Sequence, residues 1–448
     1  MEKILVLGAG MVARPLVEYL LEQGYTLTVT SPKRVRAAAM VGDHPHGTAV
    51  LWSTDDPAGL DELVAAHDIV VSMLPYAYHP MVARACLAKG KSLVTTSYVS
   101  DEMAVMDAEA RERGVLFLNE TGLDPGIDHM SAMQIIDTVR KEGGRIETFY
   151  SLTGALPAPE AADNPFRYKF TWSPKGVILA GNNDARYLLH GREVFIPAGE
   201  LFRHCHPIEF PGIGSLETYP NRDSVHYIDI YGLQGVRTLF RGTLRFPGWC
   251  RNMDYLKRLH LLSQEPLDLK GKSYAEMVSS LIRLPEGTPL RRHAARLLGL
   301  DEDDPFFDAL EWLGLFSNDP IGREQDSPFE VTSDLMIDKM MLGDHERDMI
   351  AMQHSFLAVY PGGRREVIHS RLVDYGTPAT HTAVARTVAL PAAIATELIL
   401  RGEIRAAGVM RPVIHEIYAP VLERLAELGI SLTEERTPAA DGLSVLEQ

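Results

Sequence analysis

The chain has 448 residues, with 44 Lys plus Arg against 60 Asp plus Glu and a formal net charge of −16. This length exceeds one ordinary core, so two or three domains are expected, and the hydrophobic content of 46% with 23% charged residues fits a globular protein. The acidic surplus excludes nucleic acid or an anionic membrane as a general partner, and the three cysteines, Cys86, Cys205 and Cys250, are too few and too scattered for a disulfide framework, which points to a reducing cytoplasm.

Lys3–Leu7 is an apolar strand that runs into Gly8-Ala9-Gly10-Met11-Val12-Ala13. In this Gly-x-Gly-x-x-Ala loop the first glycine permits a tight turn and the second lets backbone approach a pyrophosphate. The small Ala13 lets helix pack on strand, and the phosphates sit at the helix N-terminus. Because the fold starts within a few residues of the N-terminus, no signal peptide is expected. Tyr25–Thr30 reads as the second strand. Its end carries no acid for a ribose 2′-OH but reads Ser31-Pro32-Lys33-Arg34; a hydroxyl and two cations suit a 2′-phosphate, so NADP(H) is favoured over NAD(H). The alternative is a solvated basic turn.

Further buried strands are expected at Asp68–Pro75, Ser92–Tyr98 and Val115–Glu120, giving a doubly wound pattern over residues 1 to about 125. Ligands bind at the carboxyl ends of such strands, so Pro75-Tyr76, Ser97-Tyr98 and Leu123-Asp124-Pro125-Gly126 are the natural site-lining loops. Strand patterns then recur at Ile146–Thr153, Glu193–Ile196, Val225–Tyr231 and Arg237–Arg245. Residues 249–345 turn helical, for example Tyr274–Ile282 and Leu290–Leu298, before strands resume at Ser355–Tyr360 and Arg364–Leu372. Thr382–Arg401 is a long apolar helix with a kink expected at Pro391; it is expected to pack back on the first domain. No apolar run is expected to reach the length of a membrane span.

The glycine loop is joined in order by Leu74-Pro75-Tyr76-Ala77-Tyr78-His79, Thr95-Thr96-Ser97-Tyr98-Val99-Ser100, Gly122-Leu123-Asp124-Pro125-Gly126-Ile127-Asp128-His129 and Leu156-Pro157-Ala158-Pro159-Glu160. Tyr219-Pro220-Asn221-Arg222-Asp223-Ser224, Arg241-Gly242-Thr243-Leu244-Arg245 and Ala385–Ala393 follow. Together these strings resemble the saccharopine dehydrogenase family of the NADP-dependent, L-glutamate-forming type over nearly the whole chain. The resemblance implies an α/β protein with a Rossmann doubly wound parallel sheet, a second mixed or antiparallel α/β domain and a small helical insertion. The expected boundaries are 1–130, completed by about 375–410, for the Rossmann domain; 131–248 and 346–374 for substrate binding and dimerisation; and 249–345 for a lid-like helical domain. It implies an oxidoreductase of lysine metabolism that interconverts L-saccharopine with L-glutamate plus L-2-aminoadipate 6-semialdehyde through an imine, working as a cytoplasmic homodimer.

Saccharopine carries three carboxylates, which bidentate guanidinium groups suit. By resemblance Arg222 and Arg245 hold them, with Ser97, Tyr98, Asp124, Thr243 and Leu244 also at the substrate. Arg241, four residues before Arg245 and on the same strand face, is more simply structural. Imine chemistry needs a proton shuttle, for which Asp124 is the leading residue and Tyr98 the second. The cofactor residues implied are Gly8, Ala9, Gly10, Met11, Val12, Ser31, Lys33, Arg34, Thr96, Ser97, Leu123, Asp124, Pro125 and Ser173.

Two positions depart from the family pattern. Thr153 stands where a cysteine is frequent, so a thiol proton donor is absent there, and Pro32 stands where the family has a basic residue, leaving Lys33 and Arg34 to replace it. His204-Cys205-His206 has no second ligand pair spaced nearby, so no metal is expected. His79 and His129 read as structural. The competing functions are a carboxynorspermidine-type dehydrogenase of polyamine synthesis and a non-catalytic NADP-binding scaffold.

Overall fold

A computed structural model describes residues 2–439 and 442–446. The chain forms two compact units, one of Met1–Glu147, Asp229–Gln234 and Met352–Asp441, the other of Thr148–Ile228, Gly235–Ala351 and Gly442–Gln448.

In the first unit the strands β1 (Lys3–Leu7), β2 (Thr26–Ser31), β3 (Gly47–Leu51), β4 (Ile69–Ser72), β5 (Ser92–Thr95) and β6 (Leu116–Leu118) alternate with helices. The sheet order is Gly408–Met410, β6, β5, β4, β1, β2, β3, and every pairing is parallel. Helices cover both faces of such a sheet, which is why the central strands read as unbroken apolar runs: Ile4–Leu7 and Ile69–Ser72 are wholly buried. This is the expected Rossmann-type sheet.

The helix Ala383–Leu400 has Pro391 within it and sets its Glu397 against the Tyr19 hydroxyl of the helix Arg14–Glu22. Its 18 residues are apolar and long enough to cross a membrane, contrary to the sequence expectation, but 78% of that window is buried within the protein. It is a core helix. The same unit holds the antiparallel pair Arg365–Tyr375 and Thr433–Pro438.

In the second unit β7 (Arg145–Pro157, from Thr148), β8 (Ala185–Leu189), β9 (Arg192–Ile196), β10 (His206–Phe210), β11 (Gly214–Pro220) and β12 (Thr238–Arg245) form a mixed sheet. Its order is β10-β11-β12-β7, with β8 on β12 and β9 on β8. Only β7 and β12 run parallel there. The helices Trp249–Arg258, Tyr274–Leu281, Leu290–Leu298, Pro305–Leu313 and Pro328–Met340 follow.

Val225–Tyr231 is not the strand its alternation suggests: it contains the short helix Tyr227–Ile230. Asp223 accepts the Val225 N–H at 2.8 Å, and the Tyr227 N–H bonds to the Ser224 carbonyl. Asp and Ser thereby offer the backbone turn partners that compete with a ladder.

Candidate active site

Gly8 follows β1 with φ +106°, and a Cβ there would lie 3.0 Å from the Met73 carbonyl oxygen; a Cβ on Gly10 would meet nothing within 4 Å. The helix Arg14–Glu22 begins with no side-chain cap and no acid in its first turn, while Ala13 is fully buried. Uncapped N–H groups beside an open glycine fit a pyrophosphate. At the end of β2, the Ser31 hydroxyl accepts the Lys33 N–H at 3.1 Å and shapes the turn. Lys33 and Arg34 are exposed, and neither makes an ion pair among the described residues. Two cations that the chain does not neutralise fit a 2′-phosphate. Met11 is exposed and Val12 half-buried, leaving the loop accessible.

At the carboxyl ends of β4 and β5 the buried His79 bridges two hydroxyls: Nδ1 is 2.9 Å from Ser72 Oγ and Nε2 is 2.9 Å from Ser97 Oγ. Burial lowers its pKa to about 4, so the neutral ring has one donor and one acceptor nitrogen to orient Ser97. His79 thus has a structural place beside Ser97, held through hydroxyls from two other elements. Next to Ser97, the Tyr98 hydroxyl lies 3.4 Å from Asp124 Oδ1, and both residues are half-buried.

Asp124 is positioned by a tight loop. The Gly122 N–H bonds to the Pro125 carbonyl, and the Ile127 and Asp128 N–H groups return to Gly122 and Leu123. At Gly126, φ is +152° and a Cβ would lie 2.0 Å from the Gly122 oxygen, so only glycine fits. The helix Ile127–Lys141 starts there. Leu123 is a buried member of this loop, and Thr96 packs on it, with its Cβ 3.2 Å from where a Cβ on Gly122 would lie.

Glu120 ties the cluster together, and nothing in its sequence context signals this. It is 1% exposed and sits at φ 57°. Its N–H donates to the Ser97 carbonyl at 3.0 Å. Oε1 accepts from the Val99 N–H at 2.9 Å and from Arg411 Nε at 2.7 Å, while Oε2 accepts from His129 Nε2 at 2.7 Å. The other His129 nitrogen is 2.8 Å from the Tyr231 hydroxyl. Glu120 thus fixes the Ser97–Val99 segment to the helix that begins just after Asp124. Burial works to raise its pKa, but the His129 hydrogen bond, the charges of His129 and Arg411 and the Val99 N–H outweigh it and hold the value at about 2.

A depressed carboxylate contributes stability that is complete above its unfolded value and fades as pH falls through the folded one. We therefore expect Glu120→Gln to unfold at lower urea than the parent near neutral pH, by about 1–3 kcal/mol. The gap should narrow from about pH 4.5 towards pH 2, and urea titrations at stepped pH check it. A gap that is constant or widens on acidification contradicts this account.

In the second unit Thr243, Leu244 and Arg245 lie on β12. Arg245 is 4% exposed, with its guanidinium 4.9 Å from the Tyr168 ring, 5.7 Å from Trp249 and 5.9 Å from Tyr219. Nη1 donates to the Leu244 carbonyl at 2.9 Å, and Nε has no partner among the described residues. The Leu244 side chain is wholly buried, whereas Thr243 is half-buried and faces Thr153 of β7 in register. Arg241 is 3% exposed, donates to the Tyr227 hydroxyl at 2.7 Å and stacks on its ring, which agrees with a structural role.

Arg222 sits exposed at φ 51° in the turn after β11, beside the Arg186–Asp223 ion pair. Ser173 is exposed at the N-cap of Pro174–Leu179 and makes no side-chain cap. Ser97, Tyr98 and Asp124 are therefore brought together in one unit and Thr243–Arg245 in the other, while Ser173 stands on its own helix. The aromatic cage of Arg245 went unseen because Tyr168, Tyr219 and Trp249 come from three separate segments.

Residues 4–118 match the family model described as the saccharopine dehydrogenase NADP binding domain, and residues 122–430 match the saccharopine dehydrogenase C-terminal domain. The chain is 35% identical over 447 residues to saccharopine dehydrogenase [NADP(+), L-glutamate-forming] of Schizosaccharomyces pombe, covering 97% of this chain and 99% of that one. It is 37% identical over 447 residues to the mitochondrial alpha-aminoadipic semialdehyde synthase of Bos taurus, covering 97% of this chain but 48% of the relative. The chain thus spans about half the length of the mammalian relatives it matches. The solved apo saccharopine dehydrogenase (L-Glu forming) of Saccharomyces cerevisiae superposes with a TM-score of 0.90 at 31% identity, covering 98% of this chain and 100% of that chain.

Proposed function

The chain belongs to the saccharopine dehydrogenase family, and from that premise we propose that it is an NADP(H)-dependent oxidoreductase interconverting L-saccharopine with L-glutamate plus L-2-aminoadipate 6-semialdehyde. The observation that carries the substrate is Arg245, a buried guanidinium surrounded by three rings whose Nε has no partner among the described residues. Such a group is made for a carboxylate taken out of water. Arg222 and the Ser97 hydroxyl serve the remaining carboxylates, and Thr243 borders them.

NADPH, when bound along Gly8–Val12 with its 2′-phosphate on Ser31, Lys33 and Arg34, supplies the hydride for the imine carbon. Thr96, Leu123, Pro125 and Ser173 complete its pocket. Asp124 moves the protons: it takes one from the ammonium group of glutamate to free the attacking amine and, once a second proton has passed from nitrogen to oxygen to make the carbinolamine, returns the first to its hydroxyl, which leaves as water. Tyr98 holds the Asp124 carboxylate in place. The working form in this reading is a cytoplasmic homodimer.

The test is NADPH oxidation by the purified chain with glutamate and 2-aminoadipate semialdehyde, run beside a diamine with aspartate semialdehyde. Turnover confined to the first pair supports the proposal. Turnover confined to the second moves the protein to carboxynorspermidine-type chemistry, and binding of NADPH without turnover in either supports a scaffold. Each charge-assisted hydrogen bond to the 2′-phosphate is worth about 1.5–3 kcal/mol. Replacing Lys33 and Arg34 together by alanine should therefore raise the KM for NADPH at least about 10-fold while leaving that for NADH little changed. Equal effects on the two cofactors would remove these cations from the 2′-phosphate.

A further inference from the structure

Two of the three cysteines in the chain, distant in sequence, converge in the second unit. Cys205 precedes β10, Cys250 lies in the first turn of Trp249–Arg258, and Glu217 comes from β11. One ligand atom from each, two Sγ and a carboxylate oxygen, lie within 4.8 Å of one another. Nothing in the proposed reaction uses this cluster.

We propose that Cys205, Cys250 and Glu217 form a binding site for a thiophilic divalent cation of the zinc class. With Zn–S of about 2.3 Å and Zn–O of about 2.0–2.2 Å, ligand atoms around a tetrahedral ion sit roughly 3.5–3.8 Å apart, so the observed cluster needs movements of an ångström or less to close. Glu217 already faces this point, because Oε1 accepts the Cys250 N–H at 2.7 Å and Oε2 the Gly248 N–H at 3.2 Å. A carboxylate has about four acceptor sites, so both caps survive coordination. Cys250 is fully buried, while Cys205 and Glu217 are half-exposed, which leaves an entry path and a fourth position for water.

Two thiolates and one carboxylate hold a divalent ion at a net charge of −1, and Glu217 lies opposite Arg245 in the β11–β12 register. A bound ion would staple the segment entering β10 to the start of the helix Trp249–Arg258. The His204-Cys205-His206 string could not show this in sequence, because the second thiol arrives from another element.

The site adjoins Arg245 but takes no part in the proposed reaction, and it is tested without turnover. The full chain is reduced, its thiols are counted, and it is titrated anaerobically with Co²⁺ as the optical probe. The expected result is one equivalent of Co²⁺ bound with thiolate-to-cobalt charge-transfer absorption and the visible bands of tetrahedral cobalt, displaced stoichiometrically by Zn²⁺. Affinity should rise with pH as bound thiols lose protons. Cys250→Ser and Cys205→Ser should each abolish the charge-transfer signature or cut affinity at least about 100-fold, and Glu217→Gln should weaken it about 10-fold or more. Circular dichroism of each variant separates loss of ligand from loss of fold. The proposal is overturned if the reduced parent shows no thiolate–cobalt band, or if the band persists unchanged in folded Cys250→Ser.

Discussion

Asp124→Asn is expected to lower kcat for NADPH-dependent condensation by about 10²–10⁴-fold, the usual contribution of a positioned acid–base group. The substitution keeps size and an acceptor oxygen facing the Tyr98 hydroxyl, which lies 3.4 Å from Asp124 Oδ1, but removes the capacity to take up and return a proton. Asparagine also suits turns, and backbone bonds of Gly122, Ile127 and Asp128 hold the loop. NADPH affinity, read by quenching of protein or cofactor fluorescence, should therefore stay within about threefold of the parent. Tyr98→Phe should cost less, about 10-fold, because it loosens Asp124 without removing it. If Asp124→Asn retains most of its kcat, or if Tyr98→Phe is the more damaging change, the proton shuttle belongs to tyrosine instead.

The elements most legible in the sequence are those whose burial is uniform. β1 and β4 are covered on both faces and read as unbroken apolar runs. Gly8 and Gly10 announced the phosphate loop because backbone approach there demands glycine. Short or half-exposed strands carried no such mark: β3 is only partly buried and β11 begins with exposed Gly214 and Ser215, and neither was anticipated. Val225–Tyr231 misled because alternation is weaker than a local Asp223–Val225 side-chain bond. Asp124 and Tyr98 stand in strings that the sequence marks, and the structure sets the Tyr98 hydroxyl 3.4 Å from Asp124 Oδ1. Glu120 is not marked, since its role depends on Val99, His129 and Arg411 arriving from three directions. Pairwise spacing finds residues on one element; it does not find a carboxylate that serves several.

Arg245→Met is expected to cut kcat/KM for glutamate and semialdehyde by about 10²–10⁴-fold, equivalent to losing about 2–5 kcal/mol of a buried charge pair, while leaving Tm within a few degrees of the parent or above it. The second half separates a binding arginine from a structural one. A buried guanidinium costs several kcal/mol in desolvation; three aromatic rings, at about 0.5–2 kcal/mol each, and the Glu217 carboxylate opposite it in the strand register offset that cost. Among the described residues Nη1 donates to the Leu244 carbonyl and Nε has no partner. Methionine fills the same cage without a charge and makes favourable contacts with aromatic rings, so folding loses little. Substrate loses the fork that matches its carboxylate. Arg245→Lys should fail to rescue, because a point charge on a flexible stem cannot reproduce two parallel N–H donors or the guanidinium's contact with the Tyr168 and Trp249 rings. Steady-state kinetics and thermal unfolding on the same three preparations decide the matter. A large fall in Tm with kcat/KM preserved would make Arg245 part of the scaffold and leave Arg222 as the principal carboxylate ligand.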